Sequence, residues 1–238
     1  MLRAAVLAAS VFAAAVVVAA PVPPLSEKET IARLWGKAEG QGDFELKGKQ
    51  LTLRTLGQPA RGFIHGKRMD MPRTTRVVRG DFEATVAVTD AAPPNPKNKH
   101  EDAWPGTRAG LFVSGEGLCI ELHLYQYHQL NANREVRDDL KRTVWVDTWF
   151  LGGGAGRSQK QVPAGKSTYL RITRKKNVVT VSHSFDGKEW AAAYTPAAAI
   201  PGQALDFPDE VTVGVFFAHS THQIAAATFD ALTVTKPK

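Results

Sequence analysis

Cysteine occurs once in the 238 residues, at Cys119. A chain with one cysteine cannot staple itself, so disulfide scaffolds and four-cysteine metal modules are excluded and the fold must rest on an apolar core. The sequence also has little helical periodicity and no internal repeat at solenoid or propeller spacing. After residue 20 no apolar run is long enough to cross a bilayer. Basic residues are in modest excess, a formal +7 for the whole chain, and they are scattered. The densest group, "RITRKK" (Arg171 to Lys176), reads as a strand end and a hairpin turn. A nucleic-acid partner is therefore not expected, because that requires a basic face with interleaved aromatics. No cofactor-binding motif is present and no cofactor is expected.

The first twenty residues, "MLRAAVLAASVFAAAVVVAA", combine an early arginine, an Ala/Val-rich stretch and small residues before Pro21. This is the pattern of a secretory signal peptide, with cleavage near Val18-Ala19-Ala20. The expected product is secreted or periplasmic. Residues 21–36 form a proline-rich lead-in and a short helix from about Glu27 to Leu34. Ser26 and Glu29 make a capping box there, and Ile31, Leu34 and Trp35 share one face.

From residue 37 to 238 the period is two. "DFELKGKQLTLRT", "DFEATVAVTD", "AGLFVS", "LCIELHLYQY", "RTVWVDTWF", "TYLRITRKKNVVTVSHSF", "EVTVGVFFAHS" and "ATFDALTVT" alternate apolar and polar residues between Gly, Asn and Asp turns. Such runs form antiparallel strands with one buried face. Nine or more of them with almost no helix predict an all-β, two-sheet antiparallel sandwich. Three stretches break the rhythm and read as loops: Ala91 to Arg108, which carries Trp104; Gln129 to Lys141; and the glycine run Gly152 to Gly156.

"VSHSFDGKEW" raises the question of catalysis. Asp186-Gly187 between alternating runs is a hairpin signal with positive φ expected at both residues. Trp190 is placed to pack back on the hairpin, so Ser-x-Asp-Gly-x-x-Trp is explained by folding. In order, "VVRGDFEATVAVTD", "AGLFVS", "YLRITRKKNVVTVSHSFDGKEW" and "EVTVGVFFAHS" resemble the DUF1349 group of concanavalin A-like lectin/glucanase domains, over roughly Trp35 to Thr235. The resemblance implies a concanavalin A-like jelly roll. That fold hosts lectins, hydrolases and adhesion modules alike, so it implies no particular residue roles.

Sandwiches of this kind bind sugars on a sheet face or its rim loops. If the aliphatic residues Ile120, Leu122, Leu124, Val144, Val146, Leu170 and Ile172 point inward, then Glu121, His123, Tyr125, Trp145, Asp147, Trp149 and Arg171 share an outer face, with Trp104 in a nearby loop. Aromatic rings cover the C–H faces of a pyranose, and charged groups bond its hydroxyls. The expected activity is non-catalytic binding of a polysaccharide or other glycan. One alternative is a glycan hydrolase using Glu121 and Asp147, on different strands and the only paired candidates; the E-x-D-x-x-E run of this fold's glucanases is absent. The other is a structural or protein-interaction module. "FVSGEG" lacks nucleophile-elbow spacing, His219 and His222 lack a third metal ligand, and Asp138-Asp139 reads as a solvated loop pair. No catalytic residue and no metal site is assigned.

Overall fold

Alternating strands bury one face each, and here two sheets bury those faces against each other. The computed structural model describes residues 25–60, 70–98, 105–133, 135–150, 153–163, 165–176, 178–192, 194 and 207–237. The elements are α1 (Glu27–Trp35), β1 (Lys37–Glu39), β2 (Asp43–Lys47), β3 (Gln50–Arg54), β4 (Arg73–Arg79), β5 (Phe82–Ala91), β6 (Gly106–Gly115), β7 (Leu118–Leu130), β8 (Val136–Phe150), β9 (Gly153–Gln161), β10 (Thr168–Lys175), β11 (Val178–Ser184), β12 (Glu210–His219) and β13 (Ala226–Thr235). A seven-stranded sheet runs β1-β4-β12-β6-β7-β8-β9, and a six-stranded sheet runs β11-β10-β5-β13-β3-β2. All the paired strands are antiparallel. The architecture is the predicted all-β sandwich.

The inward sets are those the alternation selected. Leu111, Ile120, Leu122, Val144, Val213 and Val215 from one sheet meet Leu51, Leu53, Val86, Leu170, Ile172 and Phe229 from the other, each 0–2% exposed. Fully burying side chains of this size stabilises by about 1.5–3 kcal/mol each, which lets the fold stand without disulfides. Cys119 is itself buried and unpaired. Burial pushes its thiol pKa well above the ordinary value, which disfavours the thiolate.

α1 forms as its capping box requires. The Glu29 amide donates to Ser26 Oγ at 3.3 Å, and the Ser26 amide donates to Glu29 Oε2 at 2.8 Å. Ile31 and Trp35 are buried, and Arg76 Nη2 donates to the carbonyls of Arg33 and Leu34. The helix packs on β1 and β4, at the opposite end of the seven-stranded sheet from β8 and β9. It therefore closes one edge of the sandwich and leaves the β7–β8 face clear. No described helix is long and apolar enough to cross a membrane.

Two of the expected loops are strands. β7 and β8 stay paired from Cys119↔Trp149 out to Leu130↔Val136, so most of 129–141 is a long hairpin. Asp138 and Asp139 lie in β8, where Asp139 is bridged by Arg137 and Lys141 at 3.4 and 3.3 Å. The glycine run enters β9, an edge strand. A Cβ on Gly154 would lie 2.3 Å from Cε3 of Trp149, so glycine there makes room for the indole. Composition marked both stretches as loops, and pairing with a neighbouring strand overrode it.

The Asp186 turn also differs from a two-residue hairpin turn with two positive φ angles. Gly187 has φ 73°, whereas Asp186 is not among the positive-φ residues. Asp186 Oδ1 instead accepts from the amides of Lys188 (2.8 Å) and Glu189 (2.9 Å) and from Ser184 Oγ (2.9 Å). The side chain substitutes for backbone partners and holds a wider turn. These bonds account for Asp186 as a turn former.

Candidate functional site on the outer face of the seven-stranded sheet

The two-residue turn Glu116-Gly117, with φ 45° and 82°, joins β6 to β7. Both angles fit the hairpin geometry that twists with the strands. The turn sets the register, placing Arg108 opposite Tyr125, Gly110 opposite His123 and Phe112 opposite Glu121. On the other side of β7, Glu121 lies opposite Asp147, His123 opposite Trp145 and Cys119 opposite Trp149. Alternation points all of these away from the core.

The outer face has two parts. Over β12 and β6 it is covered: Ala60, Met71, Phe112, Cys119, Phe216 and Ala218 form a second buried cluster, with Trp149 packed against it. Over β7 and β8 it opens into a pocket of about 180 Å³ lined by Arg108, His123, Tyr125, Trp145, Asp147 and Trp149. Five of the eight residues expected from sequence line it. Glu121 lies beneath it, 0% exposed. Trp104 falls outside the described residues.

Arg171 does not belong to this face. β10 pairs with β5 and β11 in the other sheet, so its outward side chain leaves from the opposite side of the sandwich. There its guanidinium stacks on Trp190 at 3.9 Å, donates from Nε to Ser182 Oγ at 2.9 Å and lies 4.0 Å from Glu83. Period two says which side chains point outward but not from which sheet, and that is the origin of the misplacement.

Sequence reading also missed Arg108, assigned to a loop end. The signal lay in the glycine-flanked turn 115–117 between these two strand runs, which fixes the β6–β7 register and brings Arg108 beside Tyr125. Its Cζ lies 5.7 Å from the Tyr125 ring centroid and its Nη1 3.8 Å from Asp147 Oδ2. Gly110 is equally necessary: a Cβ there would come within 2.3 Å of the Leu122 carbonyl oxygen and 2.4 Å of His123 Cβ. Only glycine lets the histidine lie down on the sheet.

The floor is polar and buried. His123 is 0% exposed and neither ring nitrogen has a hydrogen-bond partner. Burial, reinforced by the Arg108 charge, holds its pKa well below 6.5, so the ring is neutral at pH 7. Asp147 is 8% exposed. Burial pushes its carboxyl upward, while Arg108 and the Trp145 indole pull it partly back. Trp145 Nε1 donates to Asp147 Oδ1 at 2.8 Å, and Trp149 Nε1 donates to Glu121 Oε2 at 3.4 Å. Tyr125 stands edge-on to Trp145 at 5.9 Å and stacks on Tyr127 at 4.6 Å. Both indoles thus have one edge tied to a carboxylate, fixing the ring planes that wall the pocket.

Among the described residues, Glu121, His123 and Asp147 are the one group of three or more potential ligands whose donor atoms all lie within 4.8 Å of one another. His219 is buried at the end of β12, 3.5 Å from Thr221 Oγ1, and joins no such group.

Three solved structures show the same architecture. A functionally unknown protein from Saccharomyces cerevisiae is 15% identical, with the match covering 85% of this chain and 96% of that one at a TM-score of 0.61. A GH43 protein from Bacillus licheniformis is 14% identical, at a TM-score of 0.51, over 91% of this chain and 41% of that one. The exolytic PL7 alginate lyase AlyA5 from Zobellia galactanivorans is 7% identical, at 0.51, over 84% and 89%. At these identities the likeness is one of fold, a jelly-roll β-sandwich. No family model matches the chain, and no curated protein matches it.

Proposed function

We propose that this chain is an exported carbohydrate-binding module, of the DUF1349 type its strand motifs resemble, and that it takes a sugar non-catalytically on the β7–β8 face. The observation that carries the reading is the pocket itself. Trp145, Trp149 and Tyr125 supply flat apolar rings, and Arg108, His123 and Asp147 supply convergent polar groups between them. A pyranose has the complementary surface, apolar C–H faces with a rim of hydroxyls. At about 180 Å³ the pocket is smaller than the roughly 300–1,000 Å³ common for drug-sized ligands. It suits a single ring, such as a terminal or branch unit, better than a length of chain. Two fold neighbours carry names of carbohydrate-active proteins, which agrees with the reading without bearing on these residues.

The hydrolytic alternative has one observation in its favour: Glu121 and Asp147 are directly opposed across β7 and β8. Against it, Glu121 is fully buried and has no open path to a glycosidic oxygen.

The test is a glycan array with the purified protein and its Trp145→Ala and Trp149→Ala variants, run both with and without a chelator, with the bound glycan recovered and sized. Binding lost in both variants, with the glycan intact, supports the module. Cleaved glycan moves the assignment to the hydrolase. Absence of binding by folded protein removes the carbohydrate reading and directs the search to protein partners.

A further inference from the structure

We infer that Glu121, His123 and Asp147 hold one divalent first-row transition-metal ion of zinc-like chemistry at the base of the pocket. Three observations carry this, and none depends on carbohydrate binding.

The first is placement on rigid elements. Glu121 and His123 are two residues apart on β7, hence on one face, and Asp147 is the cross-strand partner of Glu121 on β8. The ligand atoms lie within 4.8 Å of one another, and His123 Nε2 is 3.8 Å from Asp147 Oδ2. An ion bound at about 2.0–2.2 Å to nitrogen and oxygen bridges such a gap with small side-chain rotations.

The second is the histidine. A fully buried imidazole with no hydrogen-bond partner on either nitrogen is rare, because buried polar groups are almost always paired. The Glu121 backbone lies near the ring but does not meet hydrogen-bond geometry with either nitrogen. A metal on Nε2 supplies the missing partner.

The third is the surroundings of the carboxylates. The Trp145 indole occupies Asp147 Oδ1 and leaves Oδ2 facing His123, while the Trp149 indole holds Glu121 Oε2. Ligating carboxylates are oriented by outer hydrogen bonds of this kind. Arg108, 3.8 Å from Asp147 Oδ2, offsets one negative charge of the pair, and a divalent ion would more than offset the other. One imidazole and two carboxylates favour zinc, manganese or iron over calcium or magnesium, which prefer oxygen alone. Three protein ligands leave further coordination positions open toward the pocket.

The test uses tag-free protein, stripped with chelator and titrated with Zn²⁺ by calorimetry and with Co²⁺ by visible absorption, without glycan. Tryptophan fluorescence is followed in the cobalt titration because Trp145 and Trp149 adjoin the site. One equivalent bound, with cobalt quenching, is expected. Asp147→Asn and His123→Gln should each weaken binding by more than about tenfold, with circular dichroism confirming the fold. Asp147→Asn is nearly isosteric and keeps the test alive should His123→Gln not fold. A folded wild type that binds no stoichiometric metal overturns the inference, as does binding that persists unchanged in both variants or is lost only in His219→Gln. Because no sugar is present, failure here leaves the carbohydrate reading standing, and failure of the array leaves this one standing.

Discussion

Trp145 and Asp147, two residues apart on β8, are joined side chain to side chain: the indole Nε1–H donates to Oδ1 at 2.8 Å. Strand alternation puts both on the outer face, and the bond fixes the plane of a pocket-wall ring and the direction of a buried carboxylate at once. Trp145→Phe keeps the ring and removes the donor. A hydrogen bond to a charged group contributes about 1.5–3 kcal/mol, so unfolding in urea should show a loss in that range. Asp147 is already raised by burial, with this bond opposing the rise. Its pKa should climb further in the variant, read by carboxyl carbon NMR against pH. An unmoved Asp147 pKa would show that the indole does not govern the carboxylate.

Asp186 should matter for stability and not for ligand binding. The amides of Lys188 and Glu189 and the Ser184 hydroxyl stabilise its charged form and lower its pKa below the usual 3.8. A group depressed in the folded state contributes stability that is complete above 3.8 and is lost as pH falls below it. Asp186→Ala should lower the melting temperature at neutral pH and flatten the melting curve against pH below about 4. Asp186→Asn should recover part of the loss, because its amide oxygen still accepts. A change in glycan or metal affinity in either variant would contradict a purely structural turn.

His219 should give the fold an acid sensitivity of its own. Burial lowers its pKa from 6.5 to about 4. The unfolded chain takes up this proton first, so the contribution is intact above 6.5 and falls through the interval down to about 4. At about 1.4 kcal/mol per unit the loss amounts to about 3 kcal/mol. His219→Gln should remove most of that slope between pH 6.5 and 4, measured by denaturant unfolding at several pH values. An unchanged slope would assign the acid sensitivity to other groups.

The inward residues of nearly every strand were legible from alternation, and so was α1 from Ser26, Glu29 and its apolar face. On the outer face the set from Glu121 to Trp149 was also legible, because a buried aliphatic partner set leaves it no other direction. Arg171 was not. Its alternation is the same whichever sheet holds it, and only pairing with β5 puts it behind the site. Arg108 was missed for a related reason: its place beside Tyr125 comes from the register of the 115–117 turn, a relation between two strands. Gly110 read as one residue of the strand "AGLFVS" and Gly154 as part of a loop; what neither reading showed is that a side chain at these positions would collide with His123 and Trp149.

The sequence by itself determined the class of fold, the two faces of each strand and the presence of a turn at Ser184–Trp190. These follow from local rules: a period of two, turn residues and a capping box, each acting within a few residues. Only the tertiary structure decided that Glu121, His123 and Asp147 meet, that Met71 packs with Phe112 and Phe216 in a buried cluster on the outer face, and that a pocket opens over β7 and β8. Those facts depend on which strands are neighbours. Strand order is set by the packing of whole sheets, over separations along the chain at which no local pattern carries information.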